Sequence, residues 1–316
     1  MRYIAGTEAI GEPLSRPVLT VGNFDGLHLG HREILSTVVS RARAWNGQSV
    51  VYTFDPHPRK VLQPQRAPRL LTTLEQKLEL LEAAEVDVVI VEPFDLAFAR
   101  TPAETFIREF IHQRIRPLEV YVGYDFHFGR DREGSMRMLT ELGPPMGFSV
   151  TIISEVTVDE GDVNSTRIRE LLAQARVAEA AAMLGRDYTV RGRVVKGAER
   201  GRTLGFPTAN IDPENEVLPA AGVYAGELRF IDDGDPQRGR AVPAVINVGV
   251  RPTFGATGQV LAEAHLIEFD ADIYGRRVDL SFRFHLRPEQ RFASADALRE
   301  QIALDVAAAR RGLEGT

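Results

Sequence analysis

The sequence predicts an α/β chain of two domains: a doubly wound, mostly parallel sheet, then an antiparallel β-barrel or sandwich with a terminal helix. Three observations carry this expectation. Apolar strand-like runs alternate with helical patterns up to about residue 184. Short β-type runs separated by turn residues follow from Tyr188. The 316 residues are enough for two cores.

In the first part, strands are predicted over 18–21, 49–54, 86–91, 119–123 and 149–153. Helices are predicted over 31–45, 73–82, 103–115, 135–142 and 166–174, where apolar residues recur at helical spacing, as Ile34, Leu35, Val38 and Val39 do. Such a rhythm builds βαβ units, and ligands of these sheets bind at the carboxyl ends of the strands. A helix over 177–184 ends at Gly185. Strands over 188–195, 222–230, 241–248, 261–269 and 278–286 follow, separated by turns such as Asp232-Asp233-Gly234-Asp235-Pro236. A last helix over 294–310 opens with Ser294 as N-cap. The change from βαβ rhythm to short strands near 185–188 places the domains at 1–186 and 187–316.

Composition narrows the function. Net charge is −6, and residues 1–186 carry 21 basic and 25 acidic side chains against 17 and 19 in the remainder. Neither part is basic, which argues against nucleic acid as a partner. No apolar run approaches the roughly 18 residues of a membrane span, and the first residues lack a signal-peptide core. Cysteine is absent, excluding thiolate catalysis and cysteine-held metal. His112, His127 and His285 show no zinc spacing. A cytoplasmic location is expected, and self-association into a homo-oligomer is left open.

Four motifs carry chemistry. Gly22-Asn23-Phe24-Asp25-Gly26-Leu27-His28-Leu29-Gly30-His31 joins the strand over 18–21 to a helix. Helix N-termini favour anions, glycines admit a phosphate to the backbone, and His28 and His31 add donors. Paired histidines at such a junction point to nucleotide binding. Phe54-Asp55-Pro56-His57-Pro58 follows the second strand as a stiffened loop. Gly123-Tyr124-Asp125-Phe126-His127-Phe128-Gly129-Arg130 follows the fourth, where aromatic rings can be core or can stack on a planar ring system. Asn164-Ser165-Thr166-Arg167-Ile168-Arg169 opens a helix whose hydroxyls, N–H groups and arginine can cap it or hold phosphate.

In the second part, 197–210 reads Gly-Ala-Glu-Arg-Gly-Arg-Thr-Leu-Gly-Phe-Pro-Thr-Ala-Asn. It is not a Walker A loop, and by composition it reads as a flexible surface loop. Glu263 lies in an alternating run that places it with His265 and Ile267, opposite Ala264, Leu266 and Glu268. By pattern alone this is a solvated strand face.

The full first motif resembles the nucleotidyltransferase superfamily and, within it, the bacterial bifunctional riboflavin kinase/FMN adenylyltransferases. The 197–210 run resembles the riboflavin kinase signature of that family. Glu263-Ala264-His265-Leu266 with Asp272-Ile273-Tyr274-Gly275, the stretches beginning at Gly222 and Asn247, and Leu286-Arg287-Pro288-Glu289 extend the likeness over nearly the whole chain. Asn164 stands where the family often has Ser. The resemblance implies a Rossmann-like adenylyltransferase domain followed by a riboflavin kinase barrel. It implies ATP, riboflavin, FMN and FAD as substrates and products, with Mg²⁺ as cofactor and no nucleic-acid or membrane partner.

The resemblance also implies the site residues. His28 and His31 are expected to act on the triphosphate. Gly22, Asn23, Phe24, Asp25, Gly30, Ser165, Thr166 and Arg169 are expected to bind ATP, and Pro56, His57, Pro58, Asp125, Phe126 and Phe128 the flavin. In the kinase, Gly197, Gly201, Arg202, Gly205, Phe206 and Pro207 are expected around ATP, Thr208 and Asn210 at the metal, and Glu263 as base. Two rivals stay open: an adenylyltransferase with a flavin-sensing barrel, and an oligonucleotide-binding barrel beside a Rossmann-like half.

Overall fold

A computed structural model describes residues 1–154, 157–158, 161–196, 205–251 and 259–314. The chain divides into two compact units, Met1–Asn164 and Ser165–Thr316.

The first unit is built on β1 (Arg2–Ala5), β2 (Val18–Val21), α1 (Leu29–Ala44), β3 (Ser49–Asp55), α2 (Pro58–Leu62), α3 (Leu74–Ala83) and β4 (Val88–Pro93). There follow α4 (Ala103–Thr105), which continues as a π-helix over Phe106–Ile115, then β5 (Glu119–Gly123), α5 (Met136–Leu142) and β6 (Ser149–Ile153). The six strands form one sheet in the order β1-β4-β3-β2-β5-β6, and every pairing is parallel. Alternate residues serve the two faces. Val50 and Tyr52 join Leu19, Val88, Ile90, Phe106 and Ile111 in one core, while Val51 joins Leu35, Leu81 and Val89 in the other. Helices on both faces bury the inner strands β4, β3, β2 and β5, which suits their Val-rich runs, while the edges β1 and β6 stay largely exposed.

Local signals explain the helix starts. Thr73 Oγ1 accepts the Gln76 N–H at 3.1 Å and Gln76 Oε1 accepts the Thr73 N–H at 3.0 Å, a capping box that fixes α3. At the amino end of β5, Glu119 accepts bonds from Arg41 Nε, Trp45 Nε1 and Tyr121 Oη, each at 2.9 Å. Arg41 leads in holding its carboxyl down at about 2.

A short antiparallel pair, β7 (Thr157–Val158) and β8 (Gly161–Asp162), closes the first unit. The second begins with α6 (Ser165–Ala173) and α7 (Val177–Leu184), the latter ended by Gly185 at φ +68°. The strands β9 (Tyr188–Val195), β10 (Ala209–Pro213), β11 (Gly222–Phe230), β12 (Ala241–Arg251), β13 (Gln259–Leu266) and β14 (Arg277–Arg287) close into an antiparallel barrel, order β10-β13-β12-β11-β14-β9. Tyr224, Ile246 and Ala264 are cross-strand partners, all fully buried in the barrel core. The alternate set, Val223, Ala225 and Val245, packs under Val306 and Ala309 of α8 (Ala295–Glu314). Ser294 Oγ caps α8 by accepting the Ala297 N–H at 3.1 Å.

The predicted elements recur with small shifts. The strand expected over 261–269 stops at Leu266, because Glu268 turns into the left-handed region at φ +56°. Glu268 therefore leaves the strand and pairs with Arg310 at 2.9 Å. Four strands had no clear signal: the two-residue β7 and β8, and β1 and β10. β1 is a four-residue edge, and β10 contains Asn210, Asp212 and Pro213, which are poor strand formers held by pairing on both sides. The helices α6 and α7, which precede the expected boundary at 186/187, lie in the second compact unit, where α7 packs on β14 and β9. Among the described residues no helix is long and apolar enough to cross a membrane.

Candidate active sites

The strand order of the first unit reverses at β2, which has β3 on one side and β5 on the other. Crevices at such reversals are where open parallel sheets bind ligands. The loops leaving the carboxyl ends of β3, β2 and β5 carry Pro56–Pro58, Gly22–His28 and Gly123–Arg130, so three motifs far apart in sequence converge on adjacent strands.

The loop after β2 is wound tightly. Phe24, Gly26 and Leu27 have φ of +49°, +80° and +36°. Two non-glycine residues in the left-handed region carry strain, and the burial of Phe24 and Leu27 against Leu35 and Leu81 holds them there. Asp25 is buried and accepts the Leu71 N–H at 2.9 Å and the Thr72 N–H at 3.3 Å. This ties the loop to the residues just before α3. Asn23 is exposed.

His28 is the N-cap of α1, its Nδ1 accepting the His31 N–H at 3.4 Å. The rings of His28 and His31 stack with centroids 3.7 Å apart, and Phe24 lies 5.1 Å from His31. A Cβ on Gly30 would come within 3.2 Å of His28 Nδ1, so glycine there leaves the capping ring its place. Burial, then the neighbouring His28 and Lys77, push the His31 pKa well below 6.5. His31 Nδ1 is buried and has no hydrogen-bond partner among the described residues.

The linkage has a definite sign. Unfolded His31 takes up a proton below about pH 6.5 and the folded side chain resists it, so stability is lost as pH falls through that value. Glu119 is the opposite residue type with the same direction: its stabilisation is lost as pH falls from about 4.5 towards about 2. We expect the first unit to lose stability on acidification from 6.5 to 5 in denaturant titrations, and His31→Asn to flatten that limb.

The other loops are placed as follows. His57 caps α2, with Nδ1 accepting the Arg59 N–H at 3.1 Å, between exposed Pro56 and half-buried Pro58. Asp125 is exposed. Phe126 is half-buried and stacks at 5.3 Å on Phe128, which is itself in the core against Phe106. Ser165, Thr166 and Arg169 open α6 of the second unit.

In the barrel, Asn210, Glu263 and Asn247 sit directly opposite one another on β10, β13 and β12. Partners in register share a face, so the three polar side chains form one row across the strands. Ala262 and Ala264, on the other face, are fully buried. Asn210 is also buried. His265, two residues along, donates from Nδ1 to the Pro207 carbonyl at 2.9 Å and meets Phe206 edge-on at 5.2 Å. That brings Phe206, Pro207 and Thr208 to the same face as Glu263. Gly205 has φ +84°. A Cβ on Gly249 would come 2.8 Å from Glu289 Oε1, so glycine there makes room for that carboxylate. Gly197, Gly201 and Arg202 lie outside the described residues.

Thr208 and Asn210 supply hydroxyl and amide oxygens, the donor class of a hard divalent cation. Among the described residues no cluster of three His, Asp or Glu could hold a metal by itself. The donors fit a cation carried in by a nucleotide.

Lys77 escaped the sequence reading. It is buried on α3, with burial lowering its pKa against the pull of Asp25 and Asp55. A signal existed: Leu74, Lys77, Leu78 and Leu81 share the apolar stripe of α3, where a lysine is out of place. Asn247 was also missed as a site residue, because only the strand register sets it beside Glu263.

Residues 12–167 match the FAD synthetase family model and 184–313 the riboflavin kinase family model. The bifunctional riboflavin kinase/FMN adenylyltransferase of Escherichia coli strain K12 is 40% identical over 313 residues, 98% of this chain and 97% of that protein. Its counterpart in Haemophilus influenzae is 38% identical over 310 residues, 98% of each chain. A crystal structure described as a macrolide-efflux protein from Streptococcus pneumoniae has a TM-score of 0.86 at 29% identity, covering 98% of both chains.

Proposed function

The chain belongs to the bifunctional riboflavin kinase/FMN adenylyltransferase family, and from that premise we propose how each unit performs its half of FAD synthesis. The carrying observation is the end-to-end match of both family models in the order of the two units. The second unit phosphorylates riboflavin with ATP to FMN and ADP. The first joins FMN and ATP to FAD and pyrophosphate.

In the adenylyl transfer a phosphate oxygen of FMN bonds to the α-phosphorus of ATP as the bond to pyrophosphate breaks. No protein nucleophile is needed, so positioning and charge stabilisation supply the rate. His28 and His31 serve the triphosphate at the start of α1, with the Gly22–Asp25 loop and Gly30 admitting it to the backbone. A neutral His31 donates a hydrogen bond without a standing charge. Ser165, Thr166 and Arg169 are assigned to ATP by the resemblance of their motif. Pro56, His57, Pro58, Asp125 and Phe126 are assigned to the flavin, with Phe128 backing Phe126.

In the kinase, Glu263 takes the proton of the ribityl 5′-hydroxyl as its oxygen attacks the γ-phosphorus and ADP leaves. Thr208 and Asn210 would hold Mg²⁺, which when bound neutralises charge on the ATP phosphates. The Gly205–Pro207 turn, with Gly197, Gly201 and Arg202, is assigned to ATP.

Incubation with riboflavin, ATP and Mg²⁺, followed by chromatography of FMN and FAD, tests both steps. A fragment over 187–316 is expected to make FMN and no FAD. A fragment over 165–316, which keeps α6 and α7 against the barrel, is the reference for its stability. If both fold and neither makes FMN, the division of labour is wrong.

A further inference from the structure

A buried cation without a counter-ion is costly, because an ammonium taken out of water needs a partner at short range. Lys77 is such a cation: it is 8% exposed, and among the described residues no hydrogen bond or ion pair within 4 Å reaches it. Asp25 and Asp55 act on it only through space. Asp25 spends its oxygens on the Leu71 and Thr72 N–H groups. Asp55 ends β3 and is exposed. The helix bearing Lys77 packs through Leu74, Leu78 and Leu81 on Phe24 and Leu27, so the lysine stands behind the loop after β2. A second polar atom of this region, His31 Nδ1, is likewise buried and unpartnered among the described residues. Lys77 acts electrostatically on His31, so an open ammonium and an open ring nitrogen share this region, and the start of α1 favours an anion there.

We propose that Lys77 is a third phosphate-binding side chain of the adenylyl-transfer site, completing with His28 and His31 a cradle for a substrate phosphate. The proposal rests on the reading of the first unit as an FMN adenylyltransferase. The phosphate can belong to ATP or to FMN. Asp25 of the loop after β2 and Asp55 at the end of β3 both act on Lys77 through space, and the test below separates the two sources. The lysine is stored in the free protein at a cost to stability and is compensated when the phosphate arrives.

The test uses the full chain with Lys77→Met and Lys77→Gln, with FAD formation from supplied FMN and ATP, FMN formation from riboflavin, and thermal melts. FAD formation is expected to fall about 10²–10³-fold, the effect of losing one preorganised donor, and FMN formation to stay near wild type. The unliganded Lys77→Met protein is expected to melt no lower than wild type, since a buried charge has gone. The melting shift given by ATP or by FMN is expected to shrink, and the ligand whose shift and KM respond is the one that supplies the phosphate. Unchanged FAD kinetics with unchanged ligand shifts would overturn the proposal. So would a lowered melting temperature with intact ligand shifts, which marks a structural lysine. Failure of the wild-type protein to make FAD would instead overturn the reading of the unit itself.

Discussion

Glu263→Gln is expected to lower riboflavin phosphorylation by roughly 10²–10⁴-fold, the usual range for losing a general base, while FAD formation from supplied FMN continues. The amide keeps the size of the carboxylate but cannot take the hydroxyl proton. Strand register supports the residue choice: Glu263 is flanked in line by Asn210 and Asn247, on the face that also receives Phe206 and Pro207. Riboflavin binding should change much less than turnover, so kcat falls and KM holds. Glu268→Gln is the internal control, since Glu268 lies beyond the end of β13 and pairs with Arg310 at the surface. Such exposed pairs contribute little. A kinase abolished by Glu268→Gln and untouched by Glu263→Gln would refute the assignment of the base.

His31→Ala is expected to remove on the order of 2.7–4 kcal/mol of transition-state stabilisation, by analogy with loss of one oxyanion donor. FAD formation drops steeply and FMN formation does not. His28 needs a more careful variant, because it is also the N-cap of α1. His28→Ala loses both cap and imidazole, and the cap alone is worth about 0.5–2 kcal/mol. His28→Asn restores a capping oxygen without the ring, so its activity isolates the chemistry. Near-normal FAD synthesis in both His31→Ala and His28→Asn is incompatible with their role.

Much of this was legible before any coordinates. β2 and β5 stand where hydrophobic runs place them, and Ser294 caps the last helix because a short hydroxyl side chain suits an N-terminus. What the pattern could not show depended on partners distant in sequence. β10 looks like a loop because its Asn210, Asp212 and Pro213 disfavour strands, and only hydrogen bonding to β9 and β13 overrides that preference. The strand carrying Glu263 ends early because one residue, Glu268, adopts a positive φ. Lys77 stayed hidden for a different reason: its burial beside the histidines follows from how α3 packs on the loop after β2, and spacing along the chain carries no trace of that packing beyond a misplaced charge on an apolar stripe.

β5 spans five residues, and its two ends behave like different materials. At the first, Glu119 is saturated by Arg41, Trp45 and Tyr121, a riveted rim with every bond already made. At the last, the chain passes into glycine and aromatic residues, and on the neighbouring strand's side the first turn of α1 carries His31 Nδ1, without a partner among the described residues. Because all six strands run the same way, their carboxyl ends lie along one edge of the sheet. Along β5 one end is finished for endurance and the other opens into a loop proposed to meet the flavin. A search for hardier variants confined to the Glu119 end can therefore raise endurance without touching the residues proposed to bind phosphate.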